Sequence, residues 1–187
     1  MAVRAGFAEP VGRLPMSWEE YGQLADDMRG EYFDGALLMP PAPDRHHQNV
    51  VSYLVWQLST RCRDGEGAVA GWGWAPPGAA EEYIPDVLVH PRTEDQTRFT
   101  GIPLLCVEVT SSNRVVDLVL KRAKYAAAGL LDYWIVDRQE QVLITYRLRG
   151  EVLEETTRFD GQHVVDVSFA GRSVPIDLGR VFPAGQG

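Results

Sequence analysis

Leu104-Leu-Cys-Val-Glu-Val-Thr110 is the stretch on which the fold turns. A nearly unbroken apolar run of this length is the pattern of a strand covered on both faces, and only Glu108 interrupts it. By strand parity Glu108 shares a face with Leu104 and Cys106, where an ionised carboxylate is costly unless it is paired or metal-bound. Downstream, Lys121 and Lys124 are the only lysines among the 18 basic residues, and both fall on one short helix-like stretch. Upstream, Asp86 sits in Tyr83-Ile-Pro-Asp-Val-Leu-Val-His90, which reads as a neighbouring strand. Two hard-oxygen ligands and a cation beside them are the parts of a metal-dependent phosphodiesterase: carboxylates for the ion, and an amine that positions water or meets developing charge.

Each part also has an ordinary reading. Glu108 near a strand end can simply pair with an arginine or with Lys121, and an Asp after Pro often marks a turn. Asp117 and Lys121 stand at the spacing of a helix-surface ion pair, a contribution of about 0.2–0.5 kcal/mol. Glu31 can reach the same site as a further metal ligand or base, or be a solvated residue at a strand start. His47 lies three and four residues before Val50 and Val51, so it points inward as a core, capping or catalytic histidine.

Around these residues the chain alternates helix and strand. Ser17-Trp-Glu-Glu20 reads as a capping box opening a helix through Trp18, Tyr21, Leu24, Ala25 and Met28. Asp34-Gly35 between apolar residues predicts a hairpin, and Val50, Val51, Leu54, Val55 and Leu58 predict a second helix from His46 to about Arg63. A third helix runs from Asp117 to about Ala128 and stops at Gly129. Strands are expected at Ile84–Val89, Leu104–Val109, Tyr133–Asp137 and Val142–Leu148, with short strands in the tail. This order predicts an α/β fold, a central mixed β-sheet flanked by helices.

At 187 residues the chain suits one core, with residues 1–16 as a flexible N-terminus and 17–187 as a single domain. No apolar run is long enough to span a bilayer and no secretory leader is visible, so the expectation is a cytoplasmic protein with no membrane partner. Cys62 and Cys106 lack metal or disulfide spacing and read as small buried hydrophobes. A net charge of −8 argues against an avid nucleic-acid coat, though part of it can sit at a metal site. Trp72 and Trp74 offer base stacking, core packing or a dimer interface.

Taken together, Glu31-Tyr-Phe-Asp-Gly35, Arg45-His-His-Gln48, Pro85-Asp-Val-Leu-Val89, Val107-Glu-Val109 and Asp117-x-x-x-Lys121-x-x-x-Tyr125, continuing to Asp137, resemble the Uma2 family of restriction-endonuclease-like proteins. The resemblance covers residues 17 to 182 and implies a restriction-endonuclease-like core of the PD-(D/E)xK type. In the usual motif the lysine stands two residues after the Glu, where this chain has Thr110. The resemblance implies that Lys121, on the next helix, takes its place, that Asp86, Glu108 and Glu31 bind Mg²⁺ (Mn²⁺ as substitute), and that His47 assists, with His46 the alternative.

The leading expectation is a Mg²⁺-dependent endonuclease acting on nucleic acid, DNA rather than RNA. Its rivals are an inactive nuclease-fold binding or assembly module, such as a homodimer built through the Trp-rich or C-terminal strands, and a hydrolase of another phosphate ester.

Overall fold

The computed structural model describes residues 12–24, 30–39, 42–110 and 116–184, with the backbone alone at 116–118. In chain order the first elements are β1 (Arg13–Pro15), α1 (Trp18–Gly22), β2 (Glu31–Phe33), β3 (Ala36–Leu38) and α2 (Arg45–Ser59). Next come β4 (Gly67–Ala70), β5 (Gly73–Trp74), β6 (Val87–His90), β7 (Arg98–Phe99) and β8 (Leu105–Val109). A wide π-helical turn, Val116–Lys121, leads into α3 (Arg122–Ala127). The chain then forms β9 (Asp132–Asp137), β10 (Val142–Arg149), β11 (Val152–Phe159), β12 (Val164–Phe169), β13 (Arg172–Asp177) and α4 (Leu178–Val181).

A six-stranded mixed sheet, ordered β11-β10-β9-β8-β6-β4, forms the centre, as the alternation of elements predicts. Every pairing in it is antiparallel except β8 with β9. Period-two patterning assigns its faces. Leu105, Val107 and Val109 join Val87, Val89, Trp134 and Val136 against Val50, Val51, Leu54 and Leu58 of α2 and the apolar side of β12 and β13. Each fully buried aliphatic side chain there contributes about 1.5–3 kcal/mol, which is what anchors α2. Cys106, Leu88, Tyr133 and Ile135 face the other way, into a second cluster with Phe33, Trp74, Tyr83, Phe99 and Tyr125. Glu108 lies on this second, aromatic-rich face with Cys106, as strand parity predicts, whereas Leu104, which precedes β8, packs on the first cluster instead.

Local signals account for the remaining elements. Ser17 and Glu20 form the reciprocal capping box, but α1 closes at Gly22; Ala25 and Met28 lie outside the described residues. Asp34 and Gly35 both take positive φ, 51° and 71°, the turn that matches the twist of a two-residue hairpin. β1 pairs with β3 of that hairpin, so the stretch read as a flexible N-terminus includes a paired strand. Gly129 stops the third helix with φ +81°. The hairpin is tied to the rest by backbone bonds between Tyr32 and Glu82, 2.7 and 2.8 Å, and Tyr83 pairs in turn with Trp74. Among the described residues no helix is long and apolar enough to cross a membrane.

Candidate functional site

Asp86 stands one residue ahead of β6. Continuing the antiparallel register Val87↔Val107 by one step places it opposite Glu108. Its two oxygens are used on different sides: Oδ2 accepts from the Val109 backbone N–H at 2.7 Å, and Oδ1 lies 3.1 Å from His47 Nε2. His47 is delivered by the first turn of α2, whose N-cap, Asp44, accepts from the His47 N–H at 2.7 Å. The capping carboxylate therefore fixes where the histidine starts, and the apolar face of α2 turns the ring inward. Of the adjoining histidines, His47 meets Asp86, while His46 turns to Arg138.

Glu108 is 3 % exposed, Lys121 6 % and Glu31 7 %. Lys121 Nζ lies 2.9 Å from Glu31 Oε1 and 3.1 Å from Glu108 Oε1. The side chain of Asp117, the helix-surface partner that the spacing suggests, lies outside the described residues; the Lys121 amine is taken into the sheet's aromatic face, between two buried carboxylates. Glu31 is likewise buried rather than solvated. The bridge from Tyr32 to Glu82 carries β2 alongside the segment leading to Asp86, and Glu31 Oε1 accepts from the Ile84 N–H at 3.0 Å. Burying charge is tolerated only with partners of this kind, since each ion loses several kcal/mol of solvation, as an order-of-magnitude figure. Tyr125, one helical turn after Lys121, donates to Glu108 Oε1 at 2.7 Å. Burial first, and the Glu108 charge second, push its phenol well above the ordinary range, so it remains a donor.

Two outer networks brace this centre. Lys124 Nζ reaches Asp34 Oδ1 at 2.5 Å and Glu81 Oε1 at 2.7 Å, clamping α3 to the hairpin turn. Burial alone pulls Lys124 down, and the two carboxylates outweigh it, so the amine is held above its usual value. On the other flank Arg138 Nη1 donates to Asp44 Oδ2 at 3.0 Å and Nη2 to His46 Nδ1 at 3.2 Å. The Arg138 backbone N–H donates to Thr110 Oγ1 at 3.2 Å. The His47 N–H, then Arg138, hold the Asp44 carboxyl below its usual range.

The carboxylates of Asp86, Glu108 and Glu31 are hard oxygen donors of the kind a divalent cation takes. Among the described residues no three His, Cys, Asp or Glu side chains gather as a ligand group. All three carboxylates carry protein partners: Glu31 Oε1 meets the Ile84 N–H and Lys121, Asp86 meets the Val109 N–H and His47, and Glu108 Oε1 meets Lys121 and Tyr125. Mg²⁺ is commonly held by one or two carboxylates with waters and substrate phosphates completing its shell, and Asp86 and Glu108 stand opposite each other in the continued register of β6 and β8. These two residues fit that chemistry.

Tyr125, Arg138 and Thr110 join the site although the sequence marks none of them as a catalytic or metal-binding residue. Tyr125 stands four residues after Lys121 in the motif that carries the family resemblance, and Thr110 holds that motif's usual lysine position; Arg138 carries no local signal. Trp74 is fully buried, its Nε1 donating to Gly101 O at 2.9 Å, so it belongs to the core and offers no face to a base. Trp72 is partly buried against His90 and Phe99. Cys106 is buried and its thiol pushed up by burial, while Cys62 is half-buried.

No curated protein gives a significant match to the chain. A solved structure described as a "putative nuclease belonging to DUF820", from Anabaena variabilis ATCC 29413, shares the fold with a TM-score of 0.66 and 22% identity, covering 90% of this chain and 98% of that one. The model of the Uma2 family, described as "Putative restriction endonuclease", matches residues 18–177. The six-stranded mixed sheet and the match along most of the chain lead to one conclusion: this protein belongs to the Uma2 family.

Proposed function

We propose that the protein is a Mg²⁺-dependent endonuclease hydrolysing phosphodiester bonds of nucleic acid, DNA in preference to RNA, with Mn²⁺ able to replace Mg²⁺. The observation that carries this reading is the buried Lys121 amine held between Glu31 and Glu108, with Asp86 one residue ahead of the neighbouring strand. The descriptions of the family and of the similar fold point to the same class of chemistry.

In this reading Asp86 and Glu108 hold the ion, which when bound supplies Lewis-acid polarisation of the phosphate and a more acidic water. Lys121 donates to the negative charge that builds on the phosphate oxygens, a contribution that grows in a water-poor site. Glu31 serves Lys121, fixing the amine so that its direction does not depend on substrate. His47 fixes Asp86, and Tyr125 fixes Glu108; both keep a carboxylate in one rotamer before substrate arrives.

Cleavage of a plasmid and of labelled oligonucleotides in Mg²⁺ or Mn²⁺ tests the reading. Wild-type protein should cut, and Asp86→Asn and Lys121→Met should each lose at least about 100-fold, the scale set by removing one preorganised charge-stabilising group. Undiminished cutting by both variants removes this site from the reaction. One observation favours the rival reading of a non-catalytic binding module: the Lys121 amine is already satisfied by two carboxylates. That rival predicts no Mn²⁺ heat in calorimetry and no cutting by wild type.

A further inference from the structure

Arg138 is the residue of interest on the rim. It follows β9 directly, and β9 lies parallel to β8, so its backbone sits beside the end of the strand that carries Glu108. Two bonded paths tie it to Asp86. Its N–H donates to Thr110 Oγ1, and Thr110 follows Val109, whose own N–H donates to Asp86 Oδ2. Its guanidinium donates to His46 Nδ1, and His46 precedes His47, which meets Asp86 Oδ1. Arg138 is therefore a fixed neighbour of the centre.

Only part of its bonding capacity is used. A guanidinium carries five N–H donors in a planar fork, and Arg138 spends one on Asp44 and one on His46 among the described residues. Its side chain is 22 % exposed, so the guanidinium can be reached from solvent on the site's flank. The fork matches two phosphate oxygens, and two acceptors already hold it in one orientation, so little rotamer freedom is lost on binding. In a chain of net charge −8, a nucleic acid needs such local fixed cations to dock near the acidic centre.

We propose that Arg138, set by Asp44 and His46, grips a backbone phosphate of the nucleic acid next to the one that is cleaved. The proposal rests on the nuclease reading and adds where the strand runs: from the Asp86–Glu108 centre across the first turn of α2 to the end of β9. Asp44 acts against it, because its carboxylate offsets the guanidinium charge, so Asp44 and Arg138 should shift affinity in opposite directions.

Fluorescence anisotropy with a labelled 20-mer duplex and its single strand, in Ca²⁺ from 50 to 200 mM NaCl, tests this. Arg138→Gln should weaken binding about tenfold or more at low salt, the usual scale for a charge-assisted hydrogen bond. It should also flatten the plot of log affinity against log salt by about 0.9 for duplex. Asp44→Asn keeps a good helix cap and should tighten binding, which loss of a merely structural bond does not do. Arg149→Gln, on the exposed far end of β10, should leave binding unchanged. Equal losses in the Arg138 and Arg149 variants, or an Asp44→Asn variant no tighter than wild type, overturn the proposal. If Arg138→Gln does not fold, the Asp44→Asn result decides alone. Cutting by wild type with unaltered affinity in Arg138→Gln rejects this inference and leaves the nuclease reading standing. A wild type that neither binds nor cuts rejects both.

Discussion

The hydroxyl of Tyr125 donates to the same oxygen of Glu108 that Lys121 approaches, so one carboxylate oxygen serves an amine and a phenol at once. Both donors come from one helical face, four residues apart. Tyr125→Phe removes the phenol bond while keeping the ring packed against Trp74, Tyr83 and Tyr133. Urea unfolding should show a loss of about 1.5–3 kcal/mol, the range for a bond to a charged group. In calorimetry Mn²⁺ should bind more weakly than to wild type, because Glu108 is no longer held.

Lys121→Met leaves Glu31 and Glu108 buried without the cation they share. Breaking a buried pair from one side costs about 3–5 kcal/mol, so urea unfolding should place the variant that far below wild type. Adding Glu31→Gln removes one of the stranded charges and should recover part of the loss. A double variant less stable than Lys121→Met by the full cost of a second independent change would contradict this coupling.

Glu66, bonded by Arg172 of β13, gives an acid-dependent contribution. The guanidinium bond, opposed by burial, lowers its carboxyl from 4.5 to about 2 in the folded chain. Because the folded value is the lower one, the stabilisation is fully present above pH 4.5 and is lost as pH falls toward about 2. The stability gap between wild type and Glu66→Gln should therefore be constant above pH 5 and shrink below it. A gap unchanged down to about pH 2.5 rules the contribution out.

Gly35 occupies the left-handed region at φ +71° with open space around its Cα. Gly35→Ala should cost about 1–2 kcal/mol from backbone strain alone, with no steric clash to add. The same strain should loosen the neighbouring Asp34 and hence its bond to Lys124, which an NMR comparison of the Lys124 side chain would register.

The sheet was legible because its central strands are nearly pure period-two or all-apolar segments, and the caps and turns rest on neighbours in sequence. Ser17 with Glu20 and Asp34 with Gly35 need no tertiary context. At the site, strand parity alone shows that Glu108 must be compensated, and the scarcity of lysine draws attention to Lys121. Glu31 was harder: its burial depends on Tyr32 pairing with Glu82, a contact between segments about fifty residues apart. Arg138 was silent for a related reason. An arginine after a strand looks like any surface cation, and only the arrival of α2 beside β9 gives it Asp44 and His46.

β8 and β9 run in the same direction, and such neighbours cannot be joined by a tight turn. The chain must leave the sheet after Val109 and travel back before it can re-enter at Asp132, whatever reaction it performs. That obligatory return journey is where Lys121 rides. Mounting the amine there adds no element to the architecture, and Thr110, just past the end of β8, serves as the peg from which Arg138 is hung.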